Sequence, residues 1–385
     1  MYMSFFCCTF AFAKVFERMI RLLTVIGARP QIIKAAAVSR AIAAHFAGQI
    51  EEHILHTGQH YDANMSEVFF RELGVPAPQY NLHVGSASHG VQTARMIEGI
   101  EKVLTAPIED CRLRIGHCHY DGVLVYGDTN STLAAAVAAS KLHVPIFHVE
   151  AGLRSYNMSM PEEINRIVCD RLSSLLFAPT LTGVRNLEKE GITKGVVLSG
   201  DVMYDNALYF GKWAKTNDQI DKPFVLATIH RPANTDNKEN LQAIFRALGD
   251  IAKTGMEVVV PLHPRTKEKI SDYGIQTAGV RITEPASFLE MMALEKHASV
   301  VLTDSGGVQK EAFFYGTPCV ILRPETEWVE IVEAGAGILT DADYSRIMAA
   351  YNLLINKTVA FPPLFGDGHA SEKIVTEIVR FLHNS

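Results

Sequence analysis

Short apolar runs and longer amphipathic segments alternate along most of the chain, and this pattern predicts alternating strands and helices. Apolar runs bounded by glycine, proline or polar residues indicate buried strands, and the alanine-rich segments that follow several of them indicate helices. The first half contains predicted strands at 22–26, 53–57, 123–126, 145–149, 175–178 and 196–198, and predicted helices at 32–46, 65–73, 129–142 and 163–173. Such alternation is typical of a parallel sheet covered by helices on both faces.

The same alternation starts again after a mixed and mainly helical connector at residues 204–218. The second half contains predicted strands at 224–228, 257–261, 280–282, 300–303 and 319–322, and predicted helices at 238–254, 287–297 and 308–315. Two halves of similar size therefore predict an α/β protein whose two domains face a cleft. We place an N-terminal extension at 1–18, the first domain at 19–205 and the second at 206–369.

Composition narrows the class of partner. A chain of 385 residues with 48% hydrophobic and 20% charged residues can bury more than one core. A net charge of -6 gives no electrostatic footprint for nucleic acid, so we expect a small-molecule partner. The six cysteines show no regular spacing, which favours free thiols in a reducing cytoplasm over disulfides.

The first sixteen residues are mostly apolar, but they do not match a membrane or export signal. Lys14 and Arg18 lie at the end of the apolar run, whereas a signal peptide carries its charges before it. The run is also too short to cross a bilayer. We predict a packed or disordered extension, with a targeting segment as the alternative, and no membrane partner.

Acidic side chains follow two of the predicted strands. The strand at 145–149 delivers Glu150 to a loop, and Arg154, Glu162 and Arg166 come soon after it. Asp128 follows the strand at 123–126; it could simply cap the next helix, but capping needs only one of the polar residues in 128–132. Ligands bind at this edge of open parallel sheets, where two carboxylates could divide acid and base work.

Basic groups follow the first strand. Arg29 lies in the turn at 27–30 and Lys34 about one turn into the next helix, a suitable place for a phosphate contact. A surface arginine and a solvated lysine are the alternative. The turn lacks the Gly-x-Gly-x-x-Gly and Gly-Lys-Ser/Thr fingerprints, so we expect neither a dinucleotide nor any other cofactor.

The second half supplies complementary groups. His230 ends a strand and suits a proton donor or phosphate contact, with a structural histidine as the alternative. His263 is a similar candidate in a loop that two prolines could shape by themselves. The segment Thr303 to Glu311 is the sharpest motif, because Ser305, Gly306 and Gly307 at a helix N-terminus suit a diphosphate, and Glu311 suits ribose hydroxyls.

Together these segments resemble the UDP-N-acetylglucosamine 2-epimerases over roughly residues 19–380. The matching segments are 27–30, 127–129, 148–154, 161–163, 230–231, 304–311 and 323 with 326–327. The resemblance implies the glycosyltransferase-B fold, with two Rossmann-like domains around the cleft and a C-terminal helix at 370–385 that returns to the first domain. It also implies a homodimer that makes precursors of cell-surface polysaccharides.

The resemblance further implies a mechanism without NAD. Such enzymes eliminate UDP across C1 and C2 to give a 2-acetamidoglucal, which is reprotonated from the opposite face before UDP adds back. On this basis the catalytic candidates are Asp128, Glu150, Glu162 and His230. The implied UDP or sugar contacts are Arg29, Lys34, Arg154, Arg166, His263, Ser305, Gly306, Gly307, Glu311 and Arg323.

Two departures leave the substrate open. Trp328-Val329-Glu330 stands where many members have Arg-Pro-Glu, and Pro-Ala-Asn follows His230-Arg231. These variants resemble a branch that acts on UDP-2,3-diacetamido-2,3-dideoxyglucuronic acid. A hydrolysing relative that releases N-acetylmannosamine, and a UDP-sugar glycosyltransferase or binding module, are further alternatives.

Two other segments carry weaker signals. Residues 57–60 resemble the region where some members bind a second UDP-N-acetylglucosamine as activator, but Asp62 differs, so activation stays open. Cys111 and His117-Cys118-His119 lack the spacing of a zinc site, so we predict an insertion loop and no metal.

Overall fold

The computed structural model describes residues 18–58, 70, 73–106, 120–214 and 222–384, which form two lobes. The first lobe contains β1 (Ile20–Ile26), α1 (Arg29–Ala41, continued by a π-helical turn at Ile42–Phe46), β2 (Ile50–His56), β3 (Tyr80–Asn81), α2 (His89–Thr105), β4 (Gly122–Tyr126), α3 (Asn130–Lys141), β5 (Ile146–Val149), α4 (Pro161–Leu172), β6 (Leu175–Ala178), α5 (Leu181–Lys189), β7 (Val196–Leu198) and α6 (Val202–Phe210).

The second lobe follows the same plan. It contains β8 (Phe224–Thr228), α7 (Pro232–Thr235), α8 (Lys238–Lys253), β9 (Glu257–Pro261), α9 (Pro264–Tyr273), β10 (Arg281–Thr283), α10 (Phe288–His297), β11 (Val300–Thr303), α11 (Gly306–Phe314), β12 (Cys319–Ile321), α12 (Val329–Glu333), β13 (Gly337–Leu339) and α13 (Tyr344–Ile355), and the chain ends in α14 (Ala370–His383).

Each sheet is parallel, and each reverses its strand order once. The first has the order β3-β2-β1-β4-β5-β6-β7, and the second has β10-β9-β8-β11-β12-β13. In the first sheet the order reverses between β1 and β4, so the connections that follow these two strands run to opposite sides. The second sheet reverses in the same way between β8 and β11. A crevice opens between the two loops at each reversal. The predicted α/β architecture of two Rossmann-like halves is confirmed.

The last helix belongs to the core of the first lobe. Ile374, Val375 and Ile378 are fully buried in the same cluster as the apolar face of α1. The backbone N–H groups of Ala370 and Ser371 donate to the carboxylate of Asp205 on α6, at 3.1 and 2.7 Å. The helix α14 thus returns to the first lobe after the second lobe in the sequence.

Most predicted elements agree with the structure to within a few residues, and the differences have local causes. The first helix begins at Arg29 because Pro30 suits a first helical turn, and it changes to a π-helical turn after Ala41. The elements β3, α2, α5, α7, α9, α12, β13 and α13 were not predicted. The predicted helix at 65–73 and extension at 1–18 lie largely outside the described residues, and the segment from Cys111 to His119 lies wholly outside them.

In the described ranges, no helix is both long and apolar enough to cross a membrane.

Candidate active site

The two crevices face each other across the junction of the lobes. Polar contacts join the lobes at several points, including a hydrogen bond from Asn157 of the first lobe to Glu325 of the second at 3.2 Å. The loops after β1, β4 and β5 form one wall, and those after β8 and β11 form the other. This is where open α/β sheets hold their ligands.

Glu150 lies at the centre of the first wall. It has a left-handed backbone, with φ of 75°, and its side chain is 9% exposed. Lys34 on α1 and Lys310 on α11 both contact its carboxylate, Lys310 at 3.1 Å. Gly127 allows this approach, since a Cβ there would lie 3.1 Å from the Lys34 ammonium. Burial, and then repulsion by Lys310, lowers the pKa of Lys34 to about 8.

Asp128 is held by an arginine. Arg166 on α4 donates to one carboxylate oxygen of Asp128 from Nη2 at 2.5 Å and from Nε at 2.9 Å. Its Nη1 donates to Glu163 at 2.9 Å. Burial alone would raise the pKa of Glu163, but hydrogen bonds from the backbone N–H groups of Ser155 and Tyr156, and from Arg166, lower it below its usual value. Asp128 is therefore fixed, and Thr129 instead caps α3.

Glu162 lies in the first turn of α4 and is exposed. Its charge acts on Arg231 of the second lobe, whose pKa is lowered first by burial and next by Arg323. The N-terminal end of a helix favours a carboxylate. Glu162 is thus the accessible member of the three predicted carboxylates.

In the second wall, Asp304 organises the loop after β8. Its buried carboxylate accepts hydrogen bonds from the backbone N–H of His230 at 3.1 Å and of Arg231 at 3.0 Å, and from the Asn234 amide at 3.1 Å. Nδ1 of His230 also lies 3.1 Å from Asp304, while the His230 side chain is 50% exposed. These contacts outweigh burial and keep the pKa of Asp304 below its usual value. The imidazole is thereby oriented by a carboxylate behind it.

The N-terminus of α11 lies beside this histidine loop. Ser305 caps the helix by accepting from the Val308 N–H at 3.4 Å. A Cβ at position 306 would lie 2.6 Å from Oε1 of Glu327, so any other residue would have to displace that carboxylate, whereas Gly307 is exposed. Glu327 in turn pairs with Arg323 at 2.9 Å. The first N–H groups of the helix form a cradle suited to an anion.

Glu311 belongs to a pair of buried carboxyl groups. Its neighbour is Glu295 of α10, whose pKa is raised well above the usual value by burial and by the adjacent carboxylate of Glu311. Burial likewise raises the pKa of Glu311, although the charges of Lys310 and Arg29 oppose the rise. Burial and the proximity of the two carboxyl groups thus both oppose full ionisation of the pair.

The comparisons with known proteins agree on one family. A family model described as UDP-N-acetylglucosamine 2-epimerase matches residues 43–379. The chain belongs to this family. The family recognised from the sequence is therefore confirmed, and the chain is an isomerase of the UDP-sugar class.

Among relatives, the UDP-2,3-diacetamido-2,3-dideoxy-D-glucuronate 2-epimerase of Pseudomonas aeruginosa is 47% identical over 366 residues, covering 94% of this chain and 99% of that protein. The UDP-N-acetylglucosamine 2-epimerase of Methanocaldococcus jannaschii is 40% identical over 371 residues, covering 92% and 98%. A crystal structure of the latter with UDP-GlcNAc and UDP superimposes with a TM-score of 0.83 and 39% identity, over 94% of this chain and 100% of that one. Phytolacca americana UGT2, at 12% identity and a TM-score of 0.57, shares the fold alone.

Two of the predicted ligand contacts in this epimerase-family chain have protein partners in the structure. Arg154 is buried and pairs with Asp170 at 2.8 Å and with Glu190 at 2.7 Å, which occupies its guanidinium. His263 is exposed at the start of α9, where its Nδ1 accepts from the Arg265 N–H at 3.3 Å. Both placements give these residues structural partners.

Sequence reasoning missed four groups that complete the site. Lys310 and Asp304 lie inside the Thr303 to Glu311 motif, but neither was assigned a role. Glu163 directly follows Glu162 and was not considered separately from it, and Asp201 precedes α6. Asp304 directly follows the buried strand β11, as Glu150 directly follows β5. The position after a buried strand could therefore have identified Asp304 as a site residue too. Lys310 offered no such signal, because a lysine on a helix is most often solvated.

Proposed function

We propose that this chain is a non-hydrolysing 2-epimerase of a UDP-2-acetamido sugar, and that it interconverts UDP-N-acetylglucosamine and UDP-N-acetylmannosamine. The observation that supports this most directly is the juxtaposition of Glu150, held by Lys34 and Lys310, with the anion cradle at the start of α11. A base and a diphosphate site on opposite lobes are what an elimination across C1 and C2 requires.

In the proposed reaction, a carboxylate takes the C2 proton while the C1–O bond breaks and its electron pair leaves with UDP. The products are a 2-acetamidoglucal and UDP. A second acid then returns a proton to C2 from the opposite face, and UDP adds back at C1. Two faces need two proton-transfer groups, and Asp128, Glu150 and Glu162 are the candidates.

The environments of the three carboxylates suggest how they divide this work. Glu150 contacts two ammonium groups and Asp128 contacts one guanidinium, so each of these carboxylates has a cation against it. Glu162 is the exposed one. His230, oriented by Asp304, suits the departing diphosphate oxygen.

The second lobe would hold UDP. Ser305, Gly306 and Gly307 suit the diphosphate, with Arg29 and Arg323 nearby. We assign Glu311 to the ribose hydroxyls, since a carboxylate can accept hydrogen bonds from both hydroxyl groups of a vicinal diol. We assign Arg166 to orienting Asp128, and Arg154 and His263 to shaping their loops instead of touching the sugar.

A second substrate deserves an equal test. The relative at 47% identity is named for UDP-2,3-diacetamido-2,3-dideoxy-D-glucuronate, and Trp328 differs from the residue common in the wider family. The buried indole ring of Trp328 lies 4.0 Å from the ammonium of Lys310, inside the site. This position therefore bears on which sugar fits.

The experiment is an NMR assay in deuterium oxide with each UDP-sugar in turn. We expect the C2 proton of one substrate to exchange with solvent as its epimer accumulates, and Glu150→Gln to abolish both signals. Free sugar with stoichiometric UDP would indicate a hydrolysing enzyme. Unchanged turnover in Asp128→Asn, Glu150→Gln and Glu162→Gln would reject the epimerase mechanism and favour a transferase or binding module.

We also propose a cytoplasmic homodimer that serves polysaccharide precursor synthesis. Of the cysteines that the structure describes, Cys169 and Cys319 are buried free thiols, as in reducing compartments. Light scattering after gel filtration would measure the mass, and a monomer at micromolar concentration would contradict the dimer.

A further inference from the structure

Lys310 connects the second lobe to two carboxylates of the first. Its ammonium lies 3.1 Å from Oε1 of Glu150 and 2.6 Å from Oδ2 of Asp201, and its side chain is 3% exposed. Lys310 follows Gly306 by one helical turn on α11. The helix that would bind the diphosphate at its N-terminus thus also delivers a buried cation to the carboxylate that would act as base.

We propose that Lys310 is a positioning residue that keeps Glu150 ionised and fixed when α11 and the first lobe are together, and that Asp201 competes with Glu150 for it. This role rests on the proposed epimerase function. It makes the state of the base depend on the relative position of the lobes, because lobe separation would remove one of its two cations.

The partners of Lys310 are rigid enough for this role. Asp201 caps α6, since its Oδ1 accepts from the Met203 N–H at 2.8 Å, and its own N–H donates to the Phe365 carbonyl at 2.9 Å. The Trp328 ring covers the other side of the ammonium. An ammonium confined in this way cannot move to follow a displaced carboxylate, so the distance to Glu150 follows the position of α11.

Several other charges surround Glu150 and its cations. From the elements packed around them, the groups are Lys34 on α1, Asp128 after β4, Arg166 on α4, Asp201 before α6, and Lys310 and Glu311 on α11. The pKa of Lys34 is about 8, so that lysine loses its charge in mild alkali. Lys310 is then the cation that remains in contact with Glu150.

The test compares kcat against pH for the wild-type chain and two variants, using exchange of the C2 proton. Lys310→Met keeps the length of the side chain but removes the charge. We expect the acidic limb of kcat to move up by about one pH unit, which means a rate about tenfold lower well below that limb, with KM changed less than about threefold.

Asp201→Asn gives the opposite prediction and retains an oxygen that can cap α6. It frees Lys310 for Glu150 and removes a neighbouring negative charge, so the acidic limb should move to lower pH. Lys267→Met is the matched control, because Lys267 is an exposed lysine of the second lobe that pairs with Glu284 at 3.3 Å. Its profile should equal that of the wild type.

The outcomes separate the two proposals. If the wild type exchanges neither sugar, the epimerase function fails and this role fails with it. If the wild type is active and the limb stays in place in folded Lys310→Met, the function survives and the role of Lys310 is rejected. If Lys310→Met does not fold, Asp201→Asn decides, and an unmoved limb in that variant overturns the proposal.

Discussion

Asp170 determines the shape of the loop that carries Glu150. Its fully buried carboxylate accepts from the Gly152 N–H at 3.1 Å and lies 2.7 Å from Nδ1 of His148 and 2.8 Å from Nη1 of Arg154. Burial alone would raise the pKa of Asp170, but His148 and Arg154 lower it, so its stabilising effect is present above the usual carboxyl pKa and is lost in strong acid.

The stabilising effect of His148 depends on pH in the opposite direction. Burial alone would lower its pKa, but contacts with Cys169 and Asp170 raise it well above the usual value. Its stabilising effect is therefore present below the usual histidine pKa and is lost as pH rises through the folded value. Both effects are fully present between the usual carboxyl and histidine pKa values, so the loop after β5 is held most firmly in mild acid.

Replacing Asp170 by asparagine should therefore be severe. It leaves two cations buried without their shared anion, and we expect a loss of about 3–5 kcal/mol in the free energy of unfolding. Urea denaturation measures this. Asp236→Asn, which breaks an exposed pair with Arg265, is the control and should cost less than about 1 kcal/mol. Equal losses in the two variants would contradict the buried network.

Lys34 should make UDP binding sensitive to pH. Its pKa of about 8 means that it is mostly charged at pH 7 and mostly neutral at pH 9. Lys34 is a predicted UDP contact, and on that prediction the nucleotide loses a nearby positive charge as pH rises, so the Kd of UDP should increase between these values. Calorimetry at both pH values tests this, with Lys34→Gln as the variant that should lack the increase. A wild-type Kd that is constant across the range would exclude Lys34 from the anion site.

At the level of elements, the site depends on tight junctions between strands and helices. Gly152 follows β5 with φ of 79°, and a Cβ there would lie 2.3 Å from the carbonyl oxygen of Gly183 on α5. The backbone of the loop after β5 and the first turn of α5 are therefore in direct contact. Glycine is required at this position both for its conformation and for lack of space.

The variant Gly152→Ala tests this junction. We expect it to lower the free energy of unfolding by about 1–3 kcal/mol or more and to disturb Glu150, because the clash is with backbone that cannot rotate away. Gly48→Ala meets nothing within 4 Å and provides the control. Chemical denaturation of both proteins gives the comparison, and a neutral Gly152→Ala would show that the loop can shift.

At the scale of the whole molecule, α14 closes the first lobe after the second has been built. Its buried face includes Ile374 and Ile378, and Asp205 of α6 caps its N-terminus. The contact between Asp205 and Ala370 joins residues that are 165 positions apart in the sequence. The core of the first lobe therefore includes a helix that follows the second lobe in the sequence.

Truncating Ile374 should reveal this dependence. Ile374→Ala removes fully buried methyl groups and should cost about 2–5 kcal/mol, with the first lobe losing protection from hydrogen exchange before the second. Leu353→Ala on α13, where the side chain is 53% exposed, should stay within about 0.5 kcal/mol. Uniform loss of protection in both lobes would argue against a separate role for α14.

Many elements could be predicted from local pattern alone. The predicted strands at 175–178, 196–198, 224–228, 257–261 and 300–303 coincide with β6, β7, β8, β9 and β11, because a buried parallel strand is a short apolar run with polar ends. The helix α13 was missed although Asp343 caps its start by accepting from the Arg346 N–H and Asn356 ends it. The end signals of this helix were present in the sequence, so local reasoning could have found it.

The residues of the candidate site likewise fall into those that the sequence could indicate and those that it could not. Polar residues directly after strands, such as Asp128, Glu150 and Ser305, could be identified from the sequence, because the carboxyl edge of a parallel sheet is the place for ligands. The contacts of Lys310 could not, because they join residues 160 and 109 positions apart in different lobes. Their geometry arises from how two sheets are set against each other, and no local pattern in the chain encodes that distance.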